Sequence, residues 1–242
     1  MSYNSPFDRG SWSRPAYGGG AGAVDLGLRH YMLRVYNFMA AGLGLTGLVA
    51  YVAVATGFYQ RIAGTPLIWG VMLAPLGLML LLSFRIERMS AGAAQAAFWT
   101  YAALMGLSLA GIFLLYTGAS IARVFFISAT TFAAMSLYGY TTRRDLSQFG
   151  SFLFMGLVGI VLAGLVNIFI GSSALQFAIS VIGIIVFTGL TAWDTQRIKE
   201  VYLASDPYDA LTKAALMGAL TLYLDFINLF VMLLQLTGQR RE

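Results

Sequence analysis

The stretch AALMGALTLYLDFINLFVMLLQL, residues 214–236, is apolar throughout except for a single charge, Asp225, near its middle. A helix that crosses a bilayer needs about 17 to 25 mainly apolar residues, and this run qualifies. A charge at that depth costs roughly 2.5 to 3.5 kcal/mol on insertion scales, so its surroundings must neutralise it, hold it or use it. At helical spacing Ala214, Gly218, Thr221, Asp225, Asn228, Met232 and Gln235 form a small-to-polar stripe, flanked by Leu222, Leu224, Phe226, Ile227, Leu229 and Phe230. The stripe must face protein or water, and the flanks must pack on other helices or on lipid.

Six further runs of the same kind precede it, at about 36–56, 67–84, 94–116, 121–138, 152–170 and 175–193. The composition agrees: 59% of the 242 residues are apolar and only 10% charged, against about 25% charged in soluble proteins. The expected fold is an all-α membrane protein with seven transmembrane helices, joined by connections too short for a separate soluble domain. Residues 1–28, rich in Gly, Ser, Tyr and Pro, read as a disordered N-terminal tail, leaving 29–242 as the membrane domain. That tail has no apolar core of the signal-peptide type, so the first span is expected to direct insertion.

The charges give an orientation. Arg9, Arg14, Arg29, Arg34, Arg85, Arg88, Arg143, Arg144, Arg197, Lys199 and Lys213 fall on the N-terminal side, and Arg61, Arg123, Arg240 and Arg241 on the other. Basic loops stay in the cytoplasm, so the N-terminus is expected there. Seven full crossings place Arg240 and Arg241 outside, whereas a last helix that fails to cross would keep them inside; both topologies remain open at this point. A basic pI near 9.6 suits nucleic acid only if the charge gathers on one folded face. Here it is scattered between spans, and no nucleic-acid partner is expected.

Several familiar chemistries drop out. The chain has no Cys and one His, His30, so a thiolate or His-based metal site and a Ser-His triad are excluded. His30 itself, beside Arg29 and Arg34, reads as an interfacial residue. GLGLTG at 42–47 matches a dinucleotide fingerprint, but that motif has meaning only between a strand and a helix, and here it reads as helix packing. Ala102, Gly106 and Ala110 likewise mark a close helix contact. Pro66 suits a first helical turn, and Pro75 lies inside the second span, where it is expected to kink it.

One other acid lies against a spanning run: Asp194, in GLTAWDTQRIKE, at the end of a face formed by Ser180, Gly183, Phe187, Thr191 and Asp194. Two acids on consecutive helices can converge. The plainer alternatives are a local ion pair between Asp194 and Arg197 and a hydrogen-bonded Asp225 that only fixes packing. Converged carboxyls cannot easily both ionise, so they share a proton and titrate as a unit. Deprotonated, the same oxygens suit transient contact with Ca²⁺, a hard cation that prefers oxygen ligands.

SLYGYTTRRDLSQFGSFL, GLVNIF, AWDTQRIKE and LTLYLDFINLF resemble the transmembrane Bax inhibitor motif family, in its bacterial branch, and the resemblance covers nearly all of the chain after the tail. It implies six helices surrounding a central C-terminal helix and a pH-dependent calcium leak in which an aspartate pair, here Asp194 and Asp225, senses protons. It also implies an Arg near the cytoplasmic end of the second helix that closes the path by pairing with the first aspartate, here Arg85 or Arg88. Some relatives carry an acid within the second helix; this chain has none there. Thr191, Arg197, Thr221 and Asn228 are the supporting polar residues expected around the pair.

Three function classes follow. The first is a pH-sensitive Ca²⁺ leak in a bacterial inner membrane, with protons and Ca²⁺ as its ligands, no bound cofactor and no enzymatic activity. The second is a regulator that binds a membrane protease or a stress or death complex through its tail, residues 141–148 and the 195–213 loop. The third is an intramembrane aspartyl protease. It is disfavoured because such enzymes show Tyr-Asp and Gly-x-Gly-Asp contexts, whereas here TAW precedes Asp194 and LYL precedes Asp225.

Overall fold

The computed structural model describes residues 21–203 and 207–241. The described chain is helical: α1 (Ala21–Ala55), α2 (Phe58–Ala63), α3 (Leu67–Arg85) with a short 3-10 turn at Ile86–Arg88, α4 (Ala91–Leu109), α5 (Ile112–Leu115), α6 (Gly118–Thr141), α7 (Ser147–Ile170), α8 (Ser173–Val201) and α9 (Tyr208–Thr237). Seven segments are long and apolar enough to cross a membrane, carried by α1, α3, α4 with α5, α6, α7, α8 and α9. This is a multi-pass membrane protein.

Local chemistry explains where the helices begin and end. Ser90, Thr117 and Ser172 each accept a hydrogen bond from the backbone N–H three residues on, capping α4, α6 and α8. Gly57 and Gly171 adopt positive φ, 71° and 65°, at the ends of α1 and α7, a conformation that only glycine enters without strain. The third run is not one helix: it breaks at Ala110–Gly111 before α5. The helix of the second run continues unbroken through the buried Pro75.

Three helices outrun their apolar segments well beyond a turn. α1 begins at Ala21, inside the stretch read as an irregular tail, the rest of which lies outside the described residues. α8 continues to Val201 and α9 starts at Tyr208, so most of the stretch read as a 195–213 loop is helix. The reason is amphipathic: beyond Trp193 the chain turns polar on one face, while Ile198 remains buried on the other. Gln196 also ties this extension to the α6–α7 connection, accepting from Leu146 N–H at 2.8 Å and donating to the Arg144 carbonyl at 2.8 Å.

α9 is the most buried span and packs chiefly on α1, α4, α6 and α8, its interface with α8 being the largest in the molecule. The main partners of α3 and α7 are α4 and α8, so these two helices flank the wall around α9 instead of completing it. Their outer faces expose rows of large apolar residues, among them Leu73, Leu80 and Phe84 on α3 and Phe152, Leu162 and Phe169 on α7. That is the surface a lipid bilayer covers.

The last crossing is complete. α9, with 30 residues, is about 45 Å long, more than the roughly 30 Å of a hydrocarbon core. Beyond it the chain pairs with the α5–α6 connection: Thr117 N–H donates to the Gln239 carbonyl at 3.1 Å and Arg241 N–H to the Leu115 carbonyl at 2.9 Å. Arg240 and Arg241 therefore sit at the end of the bundle opposite Arg85, Arg88, Arg144 and Lys199, which removes the topology with an incomplete last helix.

Candidate functional site

α8 and α9 run antiparallel, and their small residues set the spacing. A Cβ on Gly218 would meet Ile198 Cγ2 at 3.0 Å, and one on Gly183 would meet Met232 Cγ at 3.0 Å. Within this seam Asp194 on α8 and Asp225 on α9 lie close enough for their carboxyls to act on each other. Both are buried, with 8% and 5% of their surface exposed. Asp225 Oδ2 is fully enclosed and receives no hydrogen bond from any described donor.

Two ionised carboxylates in direct contact in so dry a site would repel strongly. A proton on one of them removes that repulsion.

Among the described groups, only Arg197 joins the two acids as a charge acting on Asp194. Its side chain is exposed and its guanidinium lies 5.5 Å from the Trp193 ring centroid, a cation–π placement at the membrane edge. Arg85 and Arg88 are also exposed and flank a shallow hollow with Leu80, Phe84 and Met89. The supporting polar residues are engaged within their own helices. Thr191 donates to the Phe187 carbonyl at 2.8 Å, Thr221 to Met217 at 3.0 Å and Asn228 Nδ2 to Leu224 at 2.9 Å. Among the described residues no group of three or more His, Cys, Asp or Glu side chains could hold a metal ion. Any cation at the acid pair would be met by two carboxyls, backbone and water.

Buried polar groups that the sequence reading did not single out surround the pair. Thr195, next to Asp194 and fully buried, donates to the Thr191 carbonyl at 2.7 Å. Its oxygen is then free to accept from Ser136 at 2.9 Å, and Ser136 in turn accepts from Tyr36 at 2.7 Å. This chain of hydroxyls joins α1, α6 and α8. On the other side Thr46 donates to the Gly42 and Ala102 carbonyls at 2.9 Å and accepts from Tyr223 at 2.6 Å, joining α1, α4 and α9. The signal was present in α6, where Ser120, Ser128 and Ser136 recur at every eighth residue and Gly139 follows, all four on the buried face. The residues of GLGLTG are helical, and Gly42 packs closely, a Cβ there meeting Phe98 at 3.0 Å. His30 is exposed near the start of α1, its ring bonded to the Leu26 carbonyl at 2.9 Å.

Comparison with known proteins gives the chain a family. A family model described as "Inhibitor of apoptosis-promoting Bax1" matches residues 28–242. The chain belongs to this Bax inhibitor family. Relatives are bacterial and match over most of their length. The chain is 50% identical to the inner membrane protein YbhL of Escherichia coli over 219 residues, 89% of this chain and 94% of YbhL. It is likewise 50% identical to a protein of Rickettsia prowazekii over 90% of this chain and 93% of that protein. A membrane protein of Streptococcus pyogenes is 37% identical over 89% of this chain and 95% of its own. The Bax inhibitor match starts within the helix that opens the bundle and includes both acids.

Proposed function

We propose that this protein is a pH-sensitive cation leak of a bacterial inner membrane, with Ca²⁺ as the permeating ion, gated by the protonation state of the Asp194–Asp225 pair. The observation that carries the reading is the pair itself: two carboxyls on adjacent spans, both buried and near enough to act on each other, with no described cationic group bonded to either. A purely structural acid gains nothing from a second acid against it. A site that must change charge inside a membrane does, because the neighbour makes the first proton easy to hold and the second easy to lose. Losing the shared proton leaves two like charges in one dry seam, which drives α8 and α9 apart and offers oxygen ligands to a hard cation.

With the basic end of the bundle in the cytoplasm, Asp194 lies in the cytoplasmic half, so cytoplasmic pH controls the path. Arg85 or Arg88 serves as the latch: swung from its exposed position to the deprotonated pair, its guanidinium offsets the repulsion between the two charges and so opposes the separation of α8 and α9. Replacing the latch residue with Ala raises basal flux. If Arg85→Ala, Arg88→Ala and the double variant all leak like the parent, there is no arginine latch in this chain.

Transport in liposomes made from the purified protein tests the main reading. Flux should vary with pH in the parent, and that dependence should collapse in both Asp194→Asn and Asp225→Asn while the proteins insert and fold. Parent-like pH curves in both Asn variants would remove the pair as sensor.

The family description supports a second reading, in which the protein binds and restrains a membrane partner and any flux is incidental. Under it, purified protein alone transports nothing, while a partner co-purifies from the native membrane. Neither reading assigns hydrolysis to the acids; cleavage of a membrane peptide that is lost in both Asn variants would reassign them as a protease pair.

A further inference from the structure

Beyond the acid pair, the same α8–α9 seam continues to the opposite end of the bundle and opens into a polar crevice of about 380 Å³. Neutral amides and hydroxyls supply most of its polar wall, with Phe177 and Leu236 beside them. Asn167 Nδ2 donates to Gln176 Oε1 at 3.1 Å, Gln176 Nε2 to Gln235 Oε1 at 2.7 Å, and Ser180 shares its proton between the Gln176 carbonyl and Gln235 Oε1. Arg240 stands at the rim, its backbone bridged to Tyr116.

Gln235 lies ten residues, or about 15 Å, from Asp225 along one stripe of α9. Ser180 belongs to the stripe of α8 that ends at Asp194. Between crevice and acids the seam is closed by Met232, whose Cγ and Sδ lie 3.0 and 3.1 Å from where a Cβ on Gly183 would stand. One turn inward on both helices, Phe187 and Asn228 come level with each other. Glycine supplies the slot, and methionine, unbranched and adaptable, fills it.

We infer that the crevice is the water-filled outer vestibule of the permeation path and that Met232, seated on Gly183, is the plug between it and the acid pair. The vestibule admits water and hydrated cations. Arg240 at its rim repels cations, so it is a mouth and not a cation-binding site. When α8 and α9 separate, the thioether leaves the slot and water reaches Asn228 and then Asp225. What passes through the seam rests on the cation-leak reading; the mouth and the plug do not.

The chain has no cysteine, so single cysteines report water access without background. In the full-length protein in liposomes, exposed on both sides to a membrane-impermeant thiol reagent, Gln235→Cys reacts readily and Asn228→Cys does not. Ile185→Cys, at plug depth on the exposed, lipid-facing side of α8, stays inert. Adding Met232→Ala speeds the reaction of Asn228→Cys by about tenfold or more, because the contact that seals the seam is gone; it also raises Ca²⁺ flux. Met232→Gln, which keeps the length of the side chain and makes it polar, acts in the same direction. An inert Gln235→Cys, or an Asn228→Cys as reactive as Gln235→Cys in the parent, overturns the inference. So does an unchanged rate in folded Met232 variants. If labelling behaves as expected but no protein carries Ca²⁺, mouth and plug stand and the cation-leak reading fails. If the parent leaks with pH but labelling ignores Met232, the leak stands and the inference fails.

Discussion

Gly139→Ala places a methyl group where α6 crosses α8 beside the acid pair. A Cβ at Gly139 would run into the Ala192 carbonyl oxygen and lie 2.9 Å from Ala192 Cα. Both obstructions are backbone, so no side chain can swing aside and the helices must move apart. Overpacking of this kind costs about 1–3 kcal/mol. Alanine in place of a mid-helix glycine returns roughly 0.5–1 kcal/mol. A control separates the two terms: Gly44, inside α1, has nothing within 4 Å of its would-be Cβ, so Gly44→Ala collects the helix gain alone. The two variants should therefore differ by the overpacking term. At about 2–4 °C per kcal/mol for a chain of this size, Gly139→Ala melts some 2–12 °C below Gly44→Ala. Thermal unfolding of both in one detergent, followed by helical circular dichroism, measures this directly. A Gly139→Ala protein that melts with or above Gly44→Ala would refute the close α6–α8 crossing. Because Ala192 lies two residues before Asp194, the same variant should also disturb the pH response, whereas Gly44→Ala should not.

Three further outcomes follow from the geometry. Ser136→Ala cuts the hydroxyl chain from Tyr36 to Thr195 and takes a partner from the buried Thr195 and the half-buried Tyr36, so it should cost about 1–3 kcal/mol, and Tyr36→Phe, which removes only the outer link, should cost less in the same melt. Reporter domains fused at residue 1 and after residue 242 should be active on opposite sides of the membrane, with the N-terminal one cytoplasmic; activity of both on one side would contradict the complete crossing of α9. Outside the spans, the Ser147 hydroxyl, and with it the Ser147 N–H that Asp145 accepts from at 2.8 Å at the start of α7, hold the Asp145 carboxyl below the usual carboxylate range. Its contribution is present above the unfolded-state value and lost as pH falls through the folded one, so Asp145→Asn should narrow the stability gap between neutral and acid pH, read from melts at each pH.

The bilayer is why so much of the fold was legible. Spans must be apolar and near-constant in length, so the seven runs stand out, and a lone Asp225 within such a run demands a partner. The stripe ending at Asp194 supplied that partner because helix periodicity places residues three and four apart on one face. What hydropathy cannot see is helix that leaves the hydrocarbon. Thr195–Val201 carries Arg197 and Lys199 and ends the apolar window, yet Ile198 and Gln196 hold it against its neighbours. The break at Ala110–Gly111 left no mark because both sides of it are equally apolar. Nor could sequence join Tyr36, Ser136 and Thr195, which meet only through the crossing of three helices. The same limit applied to the arginines: charge counting put Arg85, Arg88 and Arg197 at the correct end of the bundle but could not say that Arg197 lies over Trp193.

The central claim is that Asp194 and Asp225 hold a proton between them inside the membrane and release it as pH rises. Infrared difference spectroscopy on the protein in liposomes, stepped from about pH 5 to about pH 8, reads carboxyl protonation directly. A carbonyl stretch of a protonated carboxylic acid should fade as pH rises, shift in deuterium oxide, and be absent or displaced in both Asp194→Asn and Asp225→Asn. A spectrum without that band, or one whose titration is the same in parent and in both Asn variants, would contradict the shared proton and leave the pair without a role in gating.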